Sequence, residues 1–366
     1  MSQIKVFEVL ECGGPGGTGE QVAAICNGLD PAKFDVSLVY AARDGDPQAY
    51  RAKCRGAKAA YHVPEMTREI APALDVKAFR ELRRLFAEHR PDVVHAHSSK
   101  AGALGRLAAR AAGTRRILYS PRGYGFLMQD RSRAARALYK TAERALGLIG
   151  ETVAVSPSEG GLARGIAGRR PVHVVCDAYL GDFPEPSPHE GLAVGSCGRM
   201  TYARDPDAWV LLAQRLTDSR NGVRCVWIGG GEDEARTRTN LTNMNLLSKV
   251  EITGWQTAEA ARDKLRGLDV FVHYSRWDAI PNAVLEAMAA GLPVVASDVP
   301  GNGDLVREGE TGFLVGSEGE LLERCQRLLD DAPLRRRLGE AGRERVRREF
   351  SRGRMLSELS RLYSRD

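Results

Sequence analysis

Apolar positions along this chain follow two rhythms. Short runs rich in Val, Ile, Leu and Ala occur at 3–10, 35–41, 92–96, 115–120, 152–155 and 171–175, and again at 192–197, 223–228, 250–253, 269–274, 293–297 and 312–315. Runs apolar on both faces predict buried parallel strands. Between them, apolar spacings of three and four predict helices at 76–89, 99–112, 132–148 and 157–166 in the first half. The second half reads the same way, with helices at 206–217, 257–266, 281–290, 302–308, 319–330 and 334–348. Strand and helix in alternation predict an α/β chain of doubly wound parallel sheets with helices on both faces. The stretch "YLGDFPEPSPHEG" (179–191) interrupts the pattern with three prolines and predicts a linker at 181–191. The expectation is two domains, 1–180 and 192–350, facing each other across a ligand cleft at the carboxyl ends of their strands. A last helix within 351–366 is placed to pack back on the first domain.

Composition changes this picture little. A length of 366 residues suits two domains, and 43% apolar with 27% charged residues is ordinary for a globular protein. No run of about 18 apolar residues is present and the opening "MSQIKVFEVLECGG" lacks a signal-peptide layout, so a cytoplasmic protein is expected. Seven cysteines lie scattered with no C-x-x-C pair and read as small buried hydrophobes. The net charge of +6 is concentrated in basic helical segments at 79–90, 130–146 and 334–354. Solvated helix faces are the plain reading. Contact with anionic lipid or a pyrophosphate-bearing substrate is the functional one, and no nucleic-acid module accompanies the charge.

Candidate chemistry sits where strands end. In "CGGPGGTGEQVAAI" (12–25), Gly14, Gly16 and Gly19 form G-x-G-x-x-G between a strand and a helix, and Gly16 and Gly17 can bare backbone N–H groups to a phosphate. A tight turn explains the same glycines, and Asp44 in "DGDP" stands where a dinucleotide enzyme keeps its ribose acid. In "RPDVVHAHSSKAGALGR", His95 and His97 share a strand face, but no third ligand is apparent and no metal is expected. Ser98 and Ser99 can cap the next helix, while Lys100 and Arg106 offer charge to an anion. "SPRGYGF" (120–126) sets Arg122 and Tyr124 on a loop over the same cleft.

In the second half Gly198-Arg199 ends a strand and Arg204 follows, two guanidiniums that suit a diphosphate or are merely surface arginines. Gly230 in "WIGGGEDE" and Gly254-Trp255 in "ITGWQ" mark two more turns. "SRWDAIPNAVLEAMAAGLPVV" (275–295) opens a helix at Pro281 and Asn282 and stops it at Gly291 and Pro293. Glu286 then falls among Leu285, Ala287 and Met288, where a carboxylate needs a polar partner. D-x-D is spelled at 44–46 and 205–207, both in turn or helix-start contexts that do not read as a metal site.

In this order the motifs resemble the family-4 retaining glycosyltransferases of the two-domain GT-B fold, over nearly the whole chain. "HSSKAGALGR" (97–106) resembles the polysaccharide-building branch particularly. The resemblance implies that Asp278 and Glu286 are the two acids of an E-x(7)-E signature, with Glu286 on the ribose hydroxyls of a nucleotide sugar and Asp278 toward the donor hexose. Ala279, Ile280, Pro281 and Asn282 would line the sugar and diphosphate, and Arg199 and Arg204 would stabilise the leaving diphosphate. Gly16, Gly17, Arg122, Gly198, Gly230, Gly254 and Trp255 would complete the donor side; His97, Lys100 and Tyr124 fall on the acceptor side. No metal and no cofactor are implied, because the nucleotide-diphosphate sugar, most simply UDP-linked, is a co-substrate. A saccharide or polyprenyl-diphosphate-linked acceptor, no nucleic acid, and a place at the inner face of an anionic membrane complete the expectation. Three positions depart from the family pattern: Asp278 where Glu is usual, Arg122 where His is usual, and Arg204 where Lys is usual. They point to an unusual donor or to a degenerate sugar-nucleotide-binding protein. An epimerase of the same fold and a nicotinamide-dependent oxidoreductase are the remaining readings.

Overall fold

The computed structural model describes residues 3–14, 16–42, 46–185, 187 and 189–365, so Asp44 lies outside the described residues. Contacts divide the chain into two compact units, Met1–Leu180 with Arg352–Asp366, and Gly181–Ser351.

The first unit runs β1 (Ile4–Gly13), α1 (Gly17–Gly28), β2 (Phe34–Ala42), α2 (Pro47–Lys53), β3 (Ala59–His62), α3 (Pro72–His89), β4 (Val93–His97), α4 (Ser99–Ala111), β5 (Arg116–Ser120), α5 (Arg133–Leu146), β6 (Glu151–Ala154), α6 (Pro157–Arg164) and β7 (Val172–Val174). Its seven strands lie in the order β3-β2-β1-β4-β5-β6-β7, all parallel. β1 pairs β2 on one side and β4 on the other, so the winding reverses between β1 and β4. Pleating sends Val6 and Leu10 into one apolar layer with Ile25 and Phe34, and Phe7 and Val9 into the opposite layer with Leu82 and Phe86. The chain's last helix, α14 (Arg352–Tyr363), belongs to the first of these layers through Met355, Leu359, Leu362 and Tyr363.

The second unit runs β8 (Leu192–Cys197), α7 (Pro206–Ser219), β9 (Val223–Ile228), α8 (Glu234–Asn243), β10 (Val250–Ile252), α9 (Ala258–Leu265), β11 (Val270–His273), α10 (Asn282–Ala289), β12 (Val294–Ser297), α11 (Pro300–Leu305), β13 (Gly312–Val315), α12 (Glu318–Asp330) and α13 (Ala332–Glu349). Its six strands are parallel in the order β10-β9-β8-β11-β12-β13, and the reversal falls between β8 and β11.

Periodicity missed β3, α2 and α8. β3 is a four-residue edge strand and α2 only two turns, while α8 (EARTRTNLTN) buries only Thr237 and Leu241 and so carries almost no apolar stripe. The proline-rich segment is no free tether. Arg343 Nη2 donates to Phe183 O at 3.1 Å and to Glu185 at 2.8 Å, and Arg266 Nε donates to Glu185 O at 2.7 Å, strapping it onto the second unit.

Arg106 also departs from its sequence reading. It is buried on α4, where Nε donates to Gly102 O at 2.7 Å and Nη2 to Glu143 at 3.0 Å, with the guanidinium 3.8 Å from the Tyr119 ring centre. It cannot offer its charge to a ligand. Glu143 is the buried residue of α5, whose Leu138 is 61% exposed, so this ion pair is the main polar anchor of that helix. Removing one partner of a buried pair leaves a charge uncompensated. Glu143→Ala is expected to destabilise the first unit by about 3–5 kcal/mol in urea unfolding; an unchanged midpoint would show that α5 is held by other contacts.

Candidate functional site

In the second unit the predicted residues converge at the carboxyl ends of β8, β9, β10 and β11, beside the reversal where doubly wound sheets bind ligands. Three turns interlock there. Met200 N donates to Gly230 O at 2.8 Å, Gly229 N to Thr253 Oγ1 at 3.0 Å, and Gly229 bridges Gly254. Gly229 has φ 130°, and a Cβ on it would stand 2.4 Å from Gly198 O, so only glycine lets the β8 and β9 turns touch. Trp255, 65% exposed, stands at the outer rim of these turns.

The loop from β11 to α10 is fixed from below. Ser297 Oγ accepts from Ser275 N at 2.9 Å and donates to Ser275 O at 2.7 Å, and Asn302 Nδ2 donates to Ser297 O at 2.9 Å. Arg276 ties the loop sideways, its N donating to Ala203 O at 2.9 Å and its guanidinium lying 2.8 Å from Asp205. Asp278 is thereby delivered to Arg204, whose Nη1 donates to Asp278 Oδ2. His273 Nε2 lies 3.2 Å from both that carboxylate oxygen and Arg204 Nη1. Burial would raise the Asp278 carboxyl, but Arg204 and His273 hold it at about 2. His273 is lowered by burial first and then by Arg204, so it is neutral at physiological pH.

Pro281 is the residue before α10 rather than its first, and its carbonyl accepts from Val284 N at 3.0 Å, closing the helix's first turn. Glu286 is half-buried on α10 and has a partner of its own. Burial and then the Glu286 charge push the Cys197 thiol up to about 12, while Arg204 opposes them. Arg199 is less constrained. Its Nε and Nη2 reach Glu232 at 3.0 and 2.6 Å, but both side chains are exposed, and a surface pair of this kind is worth about 0–1 kcal/mol and yields readily.

In the first unit the predicted residues are largely buried. His97 Nε2 is 2.6 Å from Glu8 Oε2, and Arg122 Nε donates to His97 Nδ1 at 3.1 Å. Since a guanidinium only donates, His97 Nδ1 accepts and Nε2 carries the hydrogen that goes to Glu8. Tyr363 donates to Glu8 Oε1 at 2.7 Å and lies 2.6 Å from His95 Nδ1, while His95 Nε2 meets Ser120 at 2.9 Å. Arg122 Nη1 closes the chain on Asp177 at 2.7 and 2.6 Å. Burial raises Glu8 and lowers both histidines well below their usual range. Arg122 is held in the left-handed region, φ 53°, with the next N–H, of Gly123, donated to the buried Glu159 at 2.7 Å. Burial lifts Glu159 to about 7.

Two family models tile most of the chain: "Glycosyl transferase 4-like domain" matches residues 16–178, and "Glycosyl transferases group 1" matches 182–345. The chain belongs to the family-4 glycosyltransferases. Relatives include the UDP-Gal:alpha-D-GlcNAc-diphosphoundecaprenol alpha-1,3-galactosyltransferase of Escherichia coli, 28% identical over 70% of this chain and 70% of its own. The capsular polysaccharide biosynthesis glycosyltransferase CapM of Staphylococcus aureus is 24% identical over 83% of this chain and 84% of its own. Among solved structures, sucrose-phosphate synthase from Thermosynechococcus elongatus superposes with a TM-score of 0.83 at 20% identity, covering 98% of both chains. Anabaena HepE, in complex with UDP and glucose, gives 0.80 at 17% identity over 99% of this chain and 100% of that one. The fold is GT-B.

For this glycosyltransferase several expectations on the first unit need correction. Lys100 is spent on Asp75 at 2.5 Å and is mostly buried, and Tyr124 is buried against Phe126, ring centres 4.9 Å apart. Arg122, with a side chain 5% exposed, is committed to Asp177 and His97, so its charge is already neutralised. His97 is wholly buried. Ser98 precedes α4 but makes no side-chain cap; with φ 64°, its hydroxyl goes to Glu11. The third ligand thought missing beside His95 and His97 exists in Glu8, with the candidate atoms within 4.8 Å of one another, although hydrogen bonds to one another, to Tyr363 and to Ser120 already engage them. Sequence reasoning missed Glu8, Asp177 and Tyr363, whose partners lie up to 355 residues away, and His273, which ends an apolar strand five residues before Asp278.

Tyr363→Phe is expected to cost about 1–3 kcal/mol, because Glu8 and His95 both lose a buried partner. Chemical denaturation of the first unit reads it, and a variant as stable as wild type would remove the hydroxyl from the account of how α14 is held.

Proposed function

We propose that this glycosyltransferase moves a hexose, with retention and without a metal, from a UDP-linked donor to a saccharide or polyprenyl-diphosphate-linked acceptor in building a surface polysaccharide or glycolipid. The observation that carries the reading is the convergence, at the strand ends beside the β8–β11 reversal, of Arg204, the loop that carries Asp278 and the N-terminal end of α10, the helix that carries Glu286; it offers cationic groups for a diphosphate and a carboxylate for ribose hydroxyls. The Escherichia coli relative's name specifies a UDP-Gal donor and a diphosphoundecaprenol-linked acceptor, and the Anabaena protein has been crystallised with UDP and with UDP-glucose. Gly198, Gly230, Gly254 and Trp255 then take the nucleotide end, and the backbone from Ala279 to Asn282 takes sugar and diphosphate.

The chemistry follows from leaving-group charge. As the glycosidic bond breaks, negative charge grows on the diphosphate, and Arg204, Arg199 and the α10 amides are placed to stabilise it. No side chain is assigned as a covalent nucleophile. His97, Lys100 and Tyr124, the residues expected on the acceptor side, are turned inward, so no acceptor contact is assigned to them, while Gly16 and Gly17 stay with the donor.

Glu286→Gln is expected to weaken UDP binding by about ten-fold or more, the worth of charge-assisted bonds to ribose. Isothermal calorimetry on the folded variant measures it, and unchanged affinity would refute the ribose assignment.

The membrane side of the proposal rests on α5. No helix among the described residues is long and apolar enough to cross a bilayer. α5, however, exposes Leu138 together with Arg133, Lys140 and Arg144, and Leu148 follows it, also exposed. Each cation near an anionic surface contributes about 1 kcal/mol. Co-sedimentation with anionic vesicles should appear at low salt, fade at high salt, and weaken when Arg133, Lys140 and Arg144 are changed to Gln. Indifference to anionic vesicles would favour a soluble acceptor.

A further inference from the structure

Asp278 has no idle oxygen. Oδ2 accepts from Arg204 Nη1 and lies 3.2 Å from His273 Nε2, and Oδ1 accepts from Ala279 N at 3.0 Å. Arg204 is engaged on one side only: among the described residues its side-chain hydrogen bonds all run through Nη1. Its Nε faces Gly198 at the end of β8, 3.9 Å from where a Cβ would stand. The Nε–Nη2 edge, the fork that grips an oxyanion, is therefore the edge left to a ligand. With His273 neutral, the charges of Arg204 and Asp278 cancel. The two departures from the family pattern are complementary as well: arginine reaches further than lysine and aspartate less far than glutamate, and here the two meet.

We propose that Asp278 acts as a counter-ion that shares Arg204 with the nucleoside diphosphate, loosening the site's hold on the released diphosphate, and is not a contact to the donor sugar. This rests on reading the site as diphosphate-binding. A guanidinium already balanced by a carboxylate attracts an anion less than a bare one, and at a few ångströms one unit charge near a protein surface is worth about a factor of ten or more in affinity. Asn at 278 keeps the volume and, with its one oxygen turned to Arg204 Nη1 at the cost of the Ala279 N bond, leaves the guanidinium in place while its charge is uncovered.

The test is calorimetric binding of UDP, with GDP in parallel, to wild type, Asp278→Asn, Arg204→Ala and the double variant, with thermal melting confirming that each is folded. Asp278→Asn should bind the diphosphate about ten-fold tighter, and the gain should vanish in the Arg204→Ala background. Product inhibition should strengthen correspondingly in Asp278→Asn. Unchanged UDP affinity, as for a residue that touches only the sugar, overturns the counter-ion role, and so does weaker binding, as for a residue that merely positions Arg204. If Asp278→Asn does not fold, Arg204→Lys with Asp278→Glu reads the same coupling. Each single change should shift UDP affinity and the pair should restore it to within about two-fold; a pair no better than its singles overturns the proposal. Wild type that binds neither nucleotide would instead defeat the diphosphate reading itself.

Discussion

A parallel sheet covered by helices on both faces leaves only its strand ends for chemistry, and every functional feature of this chain follows from that constraint. In both units the strands are apolar on both sides, so polar groups are tolerated only where they meet partners or emerge at the carboxyl ends. The reversals between β1 and β4, and between β8 and β11, open those ends, because neighbouring connections leave them in opposite directions. The backbone positions with positive φ fall there repeatedly: Gly14, Gly16, Ser98 and Arg122 in the first unit, Gly198, Gly229 and Gly254 in the second. Glycine adopts this conformation freely, whereas at Ser98 and Arg122 it is strained and persists because surrounding packing over-determines it.

The units use the constraint differently. The first spends its charges on itself, with Glu8, His95, His97, Arg122, Asp177 and Tyr363 forming one buried chain of hydrogen bonds that reaches from the first strand to the last helix. A network of this sort is favourable only when every member is satisfied, which explains why removing one hydroxyl matters. The second unit keeps its charged groups nearer the surface, where the exposed partner of Arg199 is replaceable and Arg204, held by Asp278 through Nη1, keeps its other edge for an incoming anion.

The same accounting explains why charges expected to face ligand turned inward. Lys100, Arg106 and Arg122 lie on or beside elements packed against the sheet, and each is matched by an acid from elsewhere in the unit: Asp75, Glu143 and Asp177. A basic residue near a strand end is equally suited to a ligand or to a buried carboxylate; the carboxylate that arrives from another element decides between them.

The sequence by itself determined the alternation of strands and helices, the division into two halves, and the second-half motifs around Arg204, Asp278 and Glu286. These are local properties: apolar periodicity, Gly and Pro at helix boundaries, and residues brought together by one turn. Elements with little apolar stripe, such as α8 and β3, escaped it. Tertiary structure alone decided which charges meet: that Tyr363 would close on Glu8, that Glu143 would claim Arg106, that Asp177 would claim Arg122, and that Asp278 would hold Arg204. Each of those pairings joins residues far apart in the chain, and no local spacing records it. The need for a partner is written in the residue type, but its identity depends on which distant strand ends the sheet order places side by side.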